Sequence, residues 1–199
     1  MRAALIWLAL ALAVLVPILA AAGSPLLQWR DPIYIFAGFA GIVAMALMLV
    51  QPLLLSGLMP RVSGGLGSRL HRLVGLTLVL AVAVHVIGLW ITSPPDVIDV
   101  LLLRSPTPFA VWGALAMWAV FGAALLAIFR TRIPLRFWRW AHTSLVILAV
   151  VGTVVHAVQI LGTMEPFTKY MLAALVIIAL STTVYRRRLW ATGLRKRTA

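Results

Sequence analysis

Residues 71–85 read HRLVGLTLVLAVAVH, and residues 142–156 read HTSLVILAVVGTVVH. Each stretch sets thirteen residues between two histidines, with Arg72 the one charge inside either interval, and the chain has no other histidine. Imidazole is poorly suited to so apolar a setting, so the repeat asks for a reason. Fourteen residues of α-helix rise about 21 Å and end about 40° short of four full turns. On a helix, each pair therefore lies along one face, with one ring toward each end.

The surroundings make these helices membrane spans. The 199 residues are 63% hydrophobic and 11% charged, with a mean hydropathy of +1.08, whereas soluble domains are about 45–50% apolar. Uncharged runs long enough to cross the hydrocarbon, about 20 residues each, occur at 3–22, 33–55, 73–92, 108–129, 142–161 and 170–185. The runs are continuous rather than alternating, which excludes a β-barrel. The fold class predicted is an all-α integral membrane protein, a bundle of six transmembrane helices. Its first run, MR followed by apolar residues and ILAAAGS, resembles a signal peptide but is long for one, so an uncleaved helix is expected.

The net charge of +13 suggests nucleic acid until its placement is read. With the N-terminus inside, Arg2, Arg61, Arg69, Arg72, Arg130, Arg132, Arg136, Arg139, Arg186, Arg187, Arg188, Arg195, Lys196 and Arg197 all fall on the inner side. Outside remain Arg30, Arg104 and Lys169 with all four acids, Asp31, Asp96, Asp99 and Glu165. A Lys/Arg excess on cytoplasmic loops sets orientation. The charge is thus a topology signal; it predicts a multi-pass protein of the cytoplasmic (inner) membrane, both termini cytoplasmic, contacting lipid and no nucleic acid.

The chain contains no cysteine, which removes disulfides, thiolate metal sites and covalently attached c-type haem. No P-loop or dinucleotide fingerprint is present, and the loops leave no room for a flavin or nucleotide domain of about 100 residues. If the third and fifth spans face each other, the four histidines form two cross-helix pairs, His71 with His142 at the inner ends and His85 with His156 four turns deeper. Haem iron accepts two imidazoles, a closed coordination that favours electron transfer. Zinc fits poorly, because no Cys or carboxylate lies at either depth. The alternative is that the histidines hydrogen-bond neighbouring helices or line a polar pathway. Residues 1–199 read as one transmembrane haem-binding domain with two haems, each held by two histidines without covalent bonds.

Around the pairs, Gly75, Gly88, Gly152 and Ala81 are candidates for close approach of a macrocycle. Arg72 and Arg139 are candidates for pairing with haem propionates, unless they serve only the inner-positive bias. Thr143, Ser144 and Thr153 are candidates for hydrogen bonds to the ligands. Phe137, Trp138 and Trp140 read most simply as an interfacial aromatic belt, and Gln51 and Gln159 as isolated polar residues.

The segments LHRLVGLTLVLAVAVHVIG (70–88) and RIPLRFWRWAHTSLVILAVVGTVVHAV (132–158) resemble the two histidine-bearing helices of the ferric reductase-like transmembrane domain superfamily. The resemblance implies iron-containing b-type haem and oxidoreductase activity, carrying electrons from a cytoplasmic reduced flavin to an acceptor outside. It makes His71 and His142 the inner-haem ligands and His85 and His156 the outer ones. Larger members carry FAD and NAD(P)H domains after the sixth helix, whereas this chain reaches Ala199 without them. The expected donor is therefore a separate cytoplasmic flavin reductase holding FAD or FMN, or the quinol pool as in cytochrome b561-type proteins. The expected acceptor is a periplasmic protein or a small molecule. A rival from another class is a haem-free permease with histidine proton relays; the absence of an acidic residue from any span disfavours it.

Overall fold

The computed structural model describes residues 1–62 and 64–187. Every regular element among them is helical. Six helices are long and apolar enough to cross a membrane: α1 (Arg2–Ala22), α2 (Pro32–Ser56), α3 (Gly64–Thr92), α5 (Pro108–Ile128), α6 (Leu135–Gln159) and α7 (Pro166–Arg187). A short α4 (Pro94–Leu101) lies between α3 and α5. Arg188, Arg195, Lys196 and Arg197 of the basic tail lie outside the described residues.

Local chemistry sets the helix ends. The Asp31 carboxylate accepts from the main-chain N–H of Ile33 (2.7 Å) and Tyr34 (3.3 Å), and Pro32 supplies the first helical residue of α2, where its missing N–H costs nothing. Gly57 closes the other end of α2 in the left-handed region at φ 75°. Glu165 caps α7 in the same manner, accepting from Phe167 and Thr168 at 2.6 Å each.

The core lies along α2, where Ala37, Ile42, Ala44, Met45, Ala46, Met48 and Leu49 are buried, and it continues into Leu172 and Val176 of α7 and the alanine-rich face of α5. Small residues let apolar helices approach closely where no hydrophobic drive separates them from lipid. The contacts divide the bundle. α2 packs along α3, α5 along α6, and α7 joins α2 to α6, while α3 and α6 scarcely touch each other.

The expected spans at 33–55 and 108–129 match α2 and α5 to within a residue, but three helices start earlier than the uncharged runs do. α3 begins at Gly64 rather than 73, α6 at Leu135 rather than 142, and α7 at Pro166 rather than 170. Hydrogen bonding along a helix does not stop where the hydrocarbon does, and arginine, the charged residue in the added turns of α3 and α6, is a good helix former whose long stem carries its charge to water. His71 and His142 consequently lie about two turns inside their helices, not at the ends. α4 was not legible in the proline-rich loop; its prolines sit at the first helical positions, where they start a helix rather than break one.

Candidate functional site

His71 and His85 project from α3 toward α2, and His142 and His156 from α6 toward α5. His85 Nδ1 lies 2.7 Å from the carbonyl of Ala37. His156 Nδ1 lies 2.8 Å from that of Phe109, and His71 Nδ1 lies 3.2 Å from that of Gln51. A carbonyl can only accept, so each of these nitrogens carries the proton and leaves the Nε2 lone pair free. None of the four Nε2 atoms bonds a described residue.

His142 is the exception. Its Nδ1 is buried and unbonded, facing the Ala123 carbonyl without reaching hydrogen-bond geometry. Its ring stacks instead on Trp138, with centroids 5.0 Å apart and planes 11° from parallel.

The facing carbonyls reproduce the histidine spacing. Ala37 and Gln51 are fourteen residues apart on α2, as Phe109 and Ala123 are on α5. Antiparallel packing runs each histidine helix past a rail of main chain with a matching period. Two glycines make the outer contacts possible. A Cβ on Gly41 would sit 3.0 Å from His85 Nδ1, and one on Gly113 would sit 2.8 Å from His156 Nδ1. Each glycine lies one turn beyond the carbonyl its histidine meets.

Across the bundle the histidines sort by depth. His71 and His142 each stand eighth in their helices, near the basic end, and His85 and His156 lie fourteen residues further on. Among the described residues no three His, Cys, Asp or Glu side chains gather as a metal site, so any metal bound to these histidines would rest on a pair. Imidazoles with free Nε2 atoms, two on α3 and two on α6 at matching positions and three of the four fixed from behind, suit a cofactor bringing its own equatorial ligands. The donor set therefore fits haem iron.

Several expected neighbours do something else. Gly75, Gly88 and Gly152 serve helix packing: a Cβ there would meet Gln51 Nε2 at 2.8 Å, Ala37 Cβ at 2.7 Å and the Trp112 carbonyl at 2.9 Å. They face α2 or α5 and not a partner histidine helix. The histidine bonds go to main chain rather than to Thr143, Ser144 or Thr153, because the carbonyls of α2 and α5 are already in reach. Arg72 and Arg139 are exposed beside the inner pair.

Three residues do more than the sequence reading gave them. Gln51 returns a bond from Nε2 to the His71 carbonyl at 3.0 Å, bracketing that residue from both sides. Trp138 supports His142. Lys169, placed in a loop by its charge, is 4% exposed inside α7, and its ammonium donates to the Ile160 carbonyl at 3.0 Å, one turn beyond His156. Its apolar stem and the unsatisfied carbonyls at the end of α6 explain how a charge is held there.

Comparison with protein-family models, curated proteins and solved structures found no match.

Proposed function

We propose that this chain is a transmembrane b-type cytochrome that carries electrons across the cytoplasmic membrane, of the ferric reductase-like kind. His71 and His142 would hold one haem and His85 and His156 the other. Haem held by two imidazoles would supply one-electron redox chemistry. The protein fixes the ligand tautomer, holds the imidazoles at two depths and surrounds them with apolar helix.

The observation that carries this reading is the doubled rail. Hydrogen bonds from Nδ1 to a carbonyl are the usual second contact of a metal-bound histidine, fixing its orientation and raising its basicity. Here they occur at both depths and on both histidine helices. A proton relay would not need all four Nε2 atoms left without a partner, and none of the four acids lies in the six long helices.

The same reading places the end bearing Arg61, Arg69, Arg72, Arg130, Arg132, Arg136 and Arg139 in the cytoplasm. The donor is a flavoprotein or quinol meeting that end, and the acceptor lies on the other side. The test is the visible spectrum of protein purified from cells supplied with haem, together with haem quantified per chain. Low-spin spectra and two haems per chain are expected. A colourless preparation contradicts the assignment.

A further inference from the structure

Trp138 stands out from the aromatic run around it. Phe137 is 62% and Trp140 50% exposed, as suits residues meeting the membrane interface, but Trp138 is turned inward. Its Nε1 donates to the carbonyl of Leu126 at 3.0 Å, in the last turn of α5, where main-chain carbonyls lack helical partners. The guanidinium of Arg130 lies over the indole, 5.2 Å from its centroid, a distance at which the ring face attracts a cation. The residue four positions on is His142, and i, i+4 neighbours share a helix face.

Three of the four imidazoles are held in plane by a carbonyl. His142 lacks that restraint, and rotation about its Cβ–Cγ bond is otherwise soft. The stacked indole supplies what the missing bond does not, and it is itself anchored at Nε1 and covered by Arg130. We propose that Trp138 is the positioning residue of His142, setting the imidazole plane of the inner pair through the Arg130–Trp138–His142 stack. The proposal rests on the cytochrome reading for its consequence, but the contact exists without it.

The test compares Trp138→Ala and Trp138→Phe with Trp140→Ala, each in the His85→Ala background so that the inner haem alone remains. The readouts are haem retained per chain and the low-spin electron paramagnetic resonance signal, which reports the relative orientation of the two imidazole planes. Trp138→Ala should broaden and shift that signal and reduce haem retention several-fold. Trp138→Phe, which keeps a ring and loses the Nε1 anchor, should fall between, and Trp140→Ala should match the background. If Trp138→Ala does not accumulate, Trp138→Phe decides by the same shift. An inner signal unchanged in the Trp138 variants, or one that Trp140→Ala moves equally, overturns the proposal. In haem-free protein, His142→Ala should shift the Trp138 indole N–H resonance more than that of Trp140. Equal or absent shifts count against the stack even if the wild type proves to bind no haem.

Discussion

At the histidines, the deciding neighbour is main chain. Four His residues at one repeated spacing were legible in the sequence because histidine is chemically distinctive. The carbonyls of Ala37, Gln51 and Phe109 were not, because every residue has a carbonyl and only packing selects which one is met. Gly41 and Gly113 belong to the same class; glycine is frequent in membrane helices, and nothing local separates these two from the rest. The contacts make a definite prediction. Gly41→Val should displace the His85 ring, and Gly113→Val that of His156. Overpacking of this kind costs about 1–3 kcal/mol. Each variant should lose the outer haem while retaining the inner one, as read from haem per chain and the remaining spectrum. Full retention of both haems would show that these rings do not need the space the glycines leave.

At the scale of helices, the two pairs differ in how firmly α2 and α5 hold them. The outer rings donate at 2.7 and 2.8 Å, whereas the inner pair has one bond of 3.2 Å and one nitrogen unbonded. Donation from Nδ1 makes the ring a stronger ligand, which stabilises ferric iron and lowers the reduction potential. The inner arginines would act in the same direction, favouring the less positive iron of a haem bound at that end; Lys169 would work against the difference at the outer end. We expect two waves in a redox titration, with the inner haem reduced first as potential falls. The order is assigned by repeating the titration in His85→Ala, which keeps only the inner haem. A higher potential for the outer haem would mean that ligand bonding and basic charge do not dominate. Hydropathy located α1, α2 and α5 closely. It misplaced the starts of α3, α6 and α7 because a span rule reads where charge begins, not where helical bonding ends.

For the whole molecule, the two ends differ in chemistry. The basic end also exposes Ile128, Phe129, Leu135, Phe137 and Trp140, which suits the membrane interface. No dinucleotide-binding motif occurs in the sequence, so purified protein should not oxidise NADH or NADPH unaided. Adding a flavin reductase should permit haem reduction, monitored by absorbance, and charge reversal at Arg130, Arg132, Arg136 and Arg139 should slow it. Rapid reduction by NADH in a flavoprotein-free preparation would contradict this. We propose that histidines of opposite helices share an iron at matched depth, since helix-mates about 21 Å apart cannot. The most direct measurement is haem content and low-spin spectrum across the four single His→Ala variants. His71→Ala and His142→Ala should give one common residual spectrum, and His85→Ala and His156→Ala the complementary one. Variants that group by helix instead, His71 with His85 and His142 with His156, would contradict the pairing.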